Sequence, residues 1–288
     1  MDKRAFARWL ALAVCIMAAA PAQPQERKRV DTLARIQADG VIRIGVRDNA
    51  PPFAYHDTAG RPAGFAWEVC RALVRELEVQ FRRPIEIRTT PVSLPGSFEM
   101  LADGRIDLQC GSTTHTAGRA QKVDFSHTFF VSGIVVSYRK DEARYAHPLE
   151  FGRVGVVAGS TAEGIMKKRA AQGGAARIEA VVPVPGYDAG MEMLRKKRID
   201  TLFADSVLVP LDPAVARRGT LETVEPYALM LRKGDRAFGE QVDRALVNVL
   251  HSPAMLQMAQ AAKLDGKINH LTREIWRRPS HDPAPQMY

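Results

Sequence analysis

Polar side chains that suit the binding of a charged small molecule follow two predicted strands in the first half of the chain. Arg47 comes directly after the predicted strand 41–46. The loop after the predicted strand 106–110 is Gly111-Ser112-Thr113, and Arg119 lies just beyond it. Open α/β sheets place their ligands at the carboxyl ends of strands, so these groups fall where a ligand would bind. Arg47 is equally compatible with an ordinary surface arginine.

The segment before that loop has a second copy further along the chain. Glu192-Met193-Leu194 and Arg198-Ile199-Asp200 repeat Glu99-Met100-Leu101 and Arg105-Ile106-Asp107 at the same spacings. Each copy combines the end of a helix, a turn and a short strand, and the second strand, 200–204, ends at Asp205. A repeat this short also arises by chance in parallel sheets. Because both copies lead into a polar strand end, we predict two similar lobes that face one cleft.

A third polar strand end follows the predicted strand 154–157. Its turn contains Ser160, Thr161 and Glu163, and the Ser-x-x-Glu spacing is that of a capping box at the start of a helix. A helix that begins there offers free backbone N–H groups to an anion. A plain helix cap explains the same residues.

Two apolar segments predict crossings between the lobes. Residues 125–138 form a nearly continuous apolar run typical of a buried strand, and 227–232 form a similar run that returns the chain. We therefore assign 31–132 plus 229–278 to the first lobe and 133–228 to the second. The tail 279–288 is rich in proline and lacks apolar periodicity, so we expect it to be disordered.

The amino terminus has the pattern of an export signal. Basic residues precede an apolar run at 9–20, and Ala20-Pro21-Ala22 supplies small residues for cleavage, so we predict a signal peptide at 1–22. The net charge of +9 raises the possibility of nucleic-acid binding. Export and the scattered placement of the basic residues favour a solvated basic surface instead. Cys15 after Val14 is a poor lipoprotein site.

Cys70 and Cys110 remain after cleavage, in a compartment that oxidises neighbouring thiols. They fall on the predicted helix 65–80 and the strand after it, and sequence alone leaves a bond between them open. Neither has a nearby histidine in metal-ligand spacing, and we expect no metal site in the protein.

Seven segments together carry a family resemblance over residues 31–250. They are IGVRDNAPPFAYHD, GFAWEV, GRIDLQCGSTT with Arg119, VDFSHTFFVSG, VGVVAGSTAEG, RIDTLFADS and YALMLRKGD. In this order they resemble the periplasmic amino-acid-binding proteins of ABC transporters, most closely the glutamate/aspartate-binding branch. The resemblance implies the α/β type II periplasmic-binding-protein fold, in which two lobes joined by two strands close on an amino acid.

The resemblance also implies roles for individual residues. Arg119 matches the arginine that holds the ligand α-carboxylate, and Asp205 matches the acid that pairs with the ammonium. Arg47 matches the position that faces the ligand side chain. The remaining matches line the α-amino and α-carboxylate positions: Gly111, Ser112, Thr113, Ser160 and Thr161.

Three positions depart from the branch. Ser97 stands near the place of a second arginine, and Tyr187 replaces a histidine, so Tyr187 joins the expected ligand-binding residues. Leu229 stands near the place of the branch's second cysteine, which leaves Cys70 as the candidate partner of Cys110. An acidic amino acid is the first expectation for the ligand, and a neutral polar or modified amino acid is the alternative.

We therefore expect a monomeric, non-enzymatic periplasmic component that delivers its amino acid to a membrane permease without a cofactor. A ligand sensor for a membrane receptor is a second possibility. The fold also includes dehydratases, for which Glu163 or Asp188 would be the catalytic carboxylate. Ser126 and His127 point to opposite faces of a strand and form no dyad, and His115 and His127 are typical of loop or surface positions.

Overall fold

The computed structural model describes residues 31–285. The predicted signal peptide at 1–22 and Cys15 lie outside these residues, as do positions 286–288. Within the described part of the chain, every helix is too short or too polar to cross a membrane.

Short strands and helices alternate along the chain. The strands are β1 (Val41–Arg47), β2 (Asn49–Ala50), β3 (Ala54–His56), β4 (Pro62–Ala63), β5 (Glu86–Val92), β6 (Leu108–Cys110), β7 (Val123–Ser132), β8 (Ile134–Arg139), β9 (Glu150–Val157), β10 (Arg177–Val184), β11 (Thr201–Asp205), β12 (Val215–Arg217) and β13 (Glu225–Arg232). The α-helices are α1 (Thr32–Asp39), α2 (Phe65–Phe81), α3 (Leu94–Ala102), α4 (Ala117–Ala120), α5 (Thr161–Gln172), α6 (Tyr187–Arg195), α7 (Arg236–His251), α8 (Pro253–Ala261) and α9 (His270–Arg277).

Two five-stranded sheets form the centres of two lobes, and a small sheet of β2, β3 and β4 accompanies the first. The first sheet has the order β5-β1-β6-β13-β7, and the second has the order β10-β9-β11-β8-β12. In each, the first three strands are parallel and the fourth is antiparallel to its neighbours. Their carboxyl ends carry the predicted binding residues.

The chain passes between the sheets at Gly133. The apolar run 125–138 that we predicted as one strand is two, because β7 belongs to the first sheet and β8 to the second. A Cβ atom at Gly133 would lie 2.6 Å from the Thr223 carbonyl oxygen, so glycine allows the two connecting segments to approach. The return strand β13 begins at Glu225, ahead of the predicted boundary at 229, and pairs with β7 from its first residue.

The repeat seen in the sequence makes the same contacts in both lobes. Asp107 accepts hydrogen bonds from the Arg43 backbone N–H (2.8 Å) and guanidinium (3.1 Å). Asp200 does the same with Arg153, at 2.9 Å for both bonds. Each aspartate therefore ties the start of a short strand to the parallel strand beside it.

A disulfide joins Cys70 on α2 to Cys110 at the end of β6, with 6.4 Å between the Cα atoms. Cys70 is fully buried, as are Phe65, Leu73 and Leu77, which α2 packs into the core. The bond fixes the end of β6, directly before Gly111, to the helix that covers the first sheet.

The segment after α9 forms no helix or strand up to residue 285, but it is attached to the first lobe. The Ser280 carbonyl accepts a hydrogen bond from Thr128 N (2.9 Å), and Ala284 N donates to the His115 carbonyl (2.7 Å). These contacts are at odds with the disorder that we expected from residue 279. Composition alone does not reveal the partners, which lie on β7 and in the loop after β6.

Candidate functional site

The strand ends of both sheets face each other across one cleft. β1 ends at Arg47, and β6 leads into the loop Gly111-Ser112-Thr113. From the second lobe, β11 ends at Asp205, and the turn after β9 leads into α5. The contacts below place these groups within one site, as expected from strands whose carboxyl ends share an edge.

Arg47 is a buried cation with no hydrogen-bond partner among the described residues. It is 7% exposed, and its Nε atom has neither a partner nor contact with solvent. Gly111 makes room for it, because a Cβ atom there would overlap Arg47 Cγ. A buried guanidinium without a partner is costly, so the site favours an anion beside it.

Arg119 connects the lobes. Its Nη1 donates to the Thr114 carbonyl in the first lobe (3.0 Å), and its Nη2 donates to the Gly159 carbonyl in the second (3.1 Å). Burial lowers the pKa of Arg119, while Glu225 and Asp205 oppose this shift. Arginine stays charged in proteins, and both Nη atoms keep a further N–H for a carboxylate.

Asp205 lies between two tyrosines. It accepts hydrogen bonds from the hydroxyls of Tyr227 (2.5 Å) and Tyr187 (3.3 Å). Burial and then the nearby Glu225 carboxylate raise the pKa of Asp205 to about 7, against the tyrosine hydrogen bonds and Arg119. Burial also raises the pKa of both tyrosines well above the usual value. An ammonium group at this place would favour the ionised carboxylate.

Glu225 is a second buried carboxylate that sequence reasoning missed. It is 2% exposed and accepts hydrogen bonds from the hydroxyls of Thr114 (2.6 Å) and Thr161 (2.9 Å). Its contact with Thr161 on α5 joins the first residue of β13 to the second lobe. The sequence feature that could have revealed Glu225 is its place as an acidic residue at the start of the apolar run EPYALML, two positions before Tyr227.

The predicted hydroxyl groups divide into two kinds. Ser112 Oγ is buried and has no partner within the described chain, whereas Thr113 Oγ1 donates to Gln109 Oε1 (3.2 Å). Ser160 Oγ accepts from Glu163 N (3.3 Å), and Glu163 Oε2 accepts from Gly159 N (2.7 Å). These two bonds resemble a capping box in which the glutamate reaches Gly159, one residue before the Ser160 cap, so a helix cap is the ordinary explanation of the motif.

Several sequence candidates lie outside the cleft contacts. Ser97 is buried, but its hydroxyl donates to the Leu94 carbonyl of its own helix (2.7 Å). Asp188 is exposed. His115 stacks on Phe125 with 4.4 Å between the ring centroids. Ser126 Oγ accepts from Leu229 N (3.0 Å), so it serves the sheet rather than a nucleophile–base pair.

Close approaches between the lobes surround the site. A Cβ atom at Gly186 would lie 2.5 Å from Asn49 Nδ2, and one at Gly159 would lie 3.1 Å from Pro95 Cγ. Beside these contacts is a cavity of about 710 Å³, bordered by α3, Arg119 and the turn that begins α5. Its lining includes Pro95, Phe98, Lys122, Gly159, Ser160 and Thr161.

Two α/β lobes joined by two strands, with polar strand ends facing one cleft, define the architecture of a type II periplasmic binding protein, as predicted. Residues 42–263 match the bacterial extracellular solute-binding proteins, family 3. The chain belongs to this family, whose members include amino-acid-binding proteins of transporters.

Named relatives agree with this membership. The chain is 28% identical over 231 residues to the L-glutamate/L-aspartate-binding protein of Pseudomonas aeruginosa, covering 77% of this chain and 76% of the relative. It is 27% identical over 228 residues to the glutamate/aspartate import solute-binding protein of Escherichia coli, covering 76% and 74%. An ancestral arginine-binding protein bound to arginine has the same fold, with a TM-score of 0.67, 25% identity, and coverage of 77% of this chain and 97% of that one.

Proposed function

We propose that this protein captures an acidic amino acid, glutamate or aspartate, in the periplasm and delivers it to the permease of an ABC transporter. The observation that carries the proposal is Arg47, a buried guanidinium without a hydrogen-bond partner in the described chain, in addition to Arg119. One arginine suffices for the α-carboxylate of any amino acid. A second favours a ligand with a second carboxylate.

The groups around the cleft suit the other parts of such a ligand. Arg119, with the free hydroxyl of Ser112, meets the α-carboxylate, and Asp205 meets the ammonium. Thr113 and Gly111 shape the first-lobe side of the site, Tyr187 orients Asp205, and the turn at Ser160 and Thr161 adds backbone N–H groups on closure. Because the two lobes contribute different groups, the ligand stabilises the closed state.

The relatives named for glutamate and aspartate support the acidic ligand. Their names also support import, which requires a permease in the inner membrane, and we propose that the protein acts as a monomer after cleavage of a signal peptide. In this role it needs no cofactor and performs no chemistry.

A neutral polar amino acid is the second candidate, and the charge balance favours it. Two arginines, Arg47 and Arg119, stand against two carboxylates, Asp205 and Glu225, so the site is neutral when all four groups are ionised. A zwitterion matches that balance without adding charge. Ser97, where the glutamate/aspartate branch has a further arginine, contributes no cation.

The test is isothermal titration calorimetry of the unfolded and refolded protein, free of carried-over ligand, against single amino acids and small dicarboxylates. The acidic proposal expects binding of glutamate or aspartate. Arg47→Ala should weaken the affinity for them by about a hundredfold, because loss of a charge-assisted contact costs ~3 kcal/mol. Arg71→Ala, which removes an exposed arginine on α2, is the matched control and leaves affinity unchanged.

Other outcomes separate the alternatives. Preferred binding of a neutral amino acid, with Arg47→Ala neutral or beneficial, overturns the acidic proposal and keeps the amino-acid site. Turnover of prephenate-like acids in mass spectrometry identifies an enzyme instead. Capture of a receptor kinase rather than a permease from solubilised membranes identifies a sensor.

A further inference from the structure

Two histidines and an aspartate from three separate segments lie together on the first lobe, apart from the residues assigned above to the amino acid. His127 lies on β7, Asp243 lies on α7, and His281 lies on the segment after α9. One ligand atom from each lies within 4.8 Å of the others. The centroids of the two imidazole rings are 3.9 Å apart.

The Asp243 carboxylate is held in place by both neighbours. Its Oδ1 accepts a hydrogen bond from the His127 backbone N–H at 2.8 Å, and its Oδ2 lies 3.1 Å from His281 Nε2. The side chain is 21% exposed. The backbone contact therefore orients the carboxylate and leaves Oδ2 directed at an imidazole.

The two histidine rings have different surroundings. His127 Nδ1 is buried and has no hydrogen-bond partner in residues 31–285, so one of its nitrogens is unsatisfied. The His281 ring lies against the Asp243 carboxylate and close to the backbone carbonyl of Phe125. Metal-binding histidines usually have such a carbonyl or carboxylate on the second ring nitrogen, which fixes the orientation of the ring.

We propose that His127, Asp243 and His281 bind one divalent transition-metal ion of the Zn²⁺ type, with a solvent molecule completing the coordination. Imidazole nitrogens and a carboxylate oxygen are the ligands that such ions prefer. Ligand atoms of tetrahedral zinc lie ~3.3 Å apart, from bond lengths near 2.0 to 2.1 Å. The His281–Asp243 contact already has this spacing, and the segment that carries His281 forms no helix or strand that would prevent a small adjustment.

The surroundings allow the ion to enter. A cavity of about 640 Å³ opens beside the cluster and includes His127 and Asp243 in its lining. Its other lining residues are Gln80, Gln241, Arg244, Val247 and Asn248. The amides provide polar groups for a metal-bound water, and the ion would be reached from this side.

The ion would fasten the tail to β7. Ser280 and Ala284 already attach the tail by hydrogen bonds to Thr128 N and to the carbonyl of His115, which lies in the loop between β6 and Arg119. A ligand from the tail, with one from β7 and one from α7, would close this arrangement around a single ion. Bound there, the ion would hold the tail along β7, the strand that leads to the second lobe.

The experiment is calorimetric titration of the purified chain, freed of metal and without a polyhistidine tag, with ZnCl₂. The proposal expects one ion per chain with a dissociation constant of micromolar or below, and a rise in Tm at saturating Zn²⁺. His281→Ala weakens Zn²⁺ binding by tenfold or more, and Asp243→Asn has a similar effect. The matched control is His251→Ala, an exposed histidine at the end of α7, which leaves the affinity unchanged.

Two results would overturn the proposal. One is the absence of Zn²⁺ binding at a 100-fold excess of Zn²⁺ over the protein, in which case the His281–Asp243 contact is a simple ion pair. The other is equal Zn²⁺ affinity in His281→Ala, His251→Ala and the wild type, which would place the ion elsewhere. His281→Ala changes a half-exposed side chain, so the folded variant stays available for measurement.

Discussion

The two lobes make equivalent contacts at one end of their sheets and carry opposite charges at the other. At the amino end, Arg43 with Asp107 and Arg153 with Asp200 make equivalent contacts. At the carboxyl end, the first lobe presents Arg47 and Arg119. The second presents Asp205, and Glu225 at the start of β13 bonds to both lobes through Thr114 and Thr161.

The likeness extends to the packing between adjacent strands. A Cβ atom at Gly45 would lie 2.6 Å from Ile106 Cδ1, and one at Gly155 would lie 2.5 Å from Ile199 Cδ1. Each isoleucine belongs to the sequence repeat, and each glycine belongs to the neighbouring strand. The repeated unit is therefore a β–α–β scaffold, and what differs between the lobes is the charge it delivers to the cleft.

Under the proposed function, this division would require the ligand to contact both lobes. A zwitterion offers a carboxylate to the first lobe and an ammonium to the second, so each charge is met only when the lobes are together. The equivalent arginine–aspartate contacts hold each sheet together, and the charged groups at the carboxyl ends are those proposed to contact the ligand.

The largest effect should come from removing one charge of the cleft. Arg119→Ala and Asp205→Ala should each weaken binding of glutamate, or of whichever amino acid the panel selects, by about a thousandfold, ~4 kcal/mol for an unpaired buried charge. Calorimetry measures this. If one variant binds normally, the two lobes do not share the recognition of the zwitterion.

The equivalent arginine–aspartate contacts should matter for stability instead. Asp107→Ala and Asp200→Ala should each lower the free energy of unfolding by about 3 kcal/mol, because each removes several hydrogen bonds to arginine. Urea unfolding measures both losses. Losses that differ by more than about 2 kcal/mol would show that the structural likeness is not an energetic one.

The second lobe's side of the cleft should also make stability depend on pH, because it carries Asp205. Its pKa of about 7 lies above the ordinary value of 3.8, so the ligand-free folded state keeps a proton that the unfolded state loses. The contribution of Asp205 to stability should therefore fall as pH rises from about 4 to 7, by up to ~1.4 kcal/mol per unit, while burial of His115, which lowers its pKa to about 4, acts in the opposite direction.

Urea unfolding of the wild type and of Asp205→Asn at pH 5 and pH 7 isolates this contribution. The variant should lack the contribution of Asp205, because its amide does not titrate, so its stability should fall less or rise more between pH 5 and pH 7 than that of the wild type. Equal slopes in the two proteins would assign the pH dependence to other groups. An ammonium ligand should release the proton, so binding heats below pH 7 should depend on the buffer.

The smallest effect concerns the turn of the repeat. Gly104 has φ +71° in the first lobe, while Lys197 adopts φ +57° at the equivalent place in the second. Lys197→Gly should raise the free energy of unfolding by up to about 1 kcal/mol, since a left-handed conformation is costly for a residue with a Cβ atom. Thermal unfolding of the variant and the wild type measures this gain in stability. A loss of stability would mean that the contacts of Lys197 outweigh its strain.

The sequence was sufficient to predict the main helices and strands and the polar residues at the strand ends. Apolar periodicity predicted α2, a continuous apolar run predicted one strand over 125–138, and the repeat predicted two lobes before any family was considered. The family resemblance then added residue roles. These signals are local, which is why a single sequence contains them.

Other features depended on partners far apart in the chain. Glu225 lies just before the predicted run 227–232, and only folding brings it to Thr114 and Thr161. Similarly, His281 in a proline-rich tail gave no sign of Asp243. The break at Gly133 was hidden because both strands are apolar, and only the approach of Thr223 shows why glycine stands there.

Arg119 has a further consequence for the time that a ligand stays bound. Its bond to the Gly159 carbonyl spans the lobes, so the guanidinium assigned to the carboxylate also resists opening. Separation of the lobes breaks this bond and removes one side of the ligand's contacts in the same motion. The dissociation rate should then follow the opening rate, and a permease that pulls the lobes apart would release the solute without any further step.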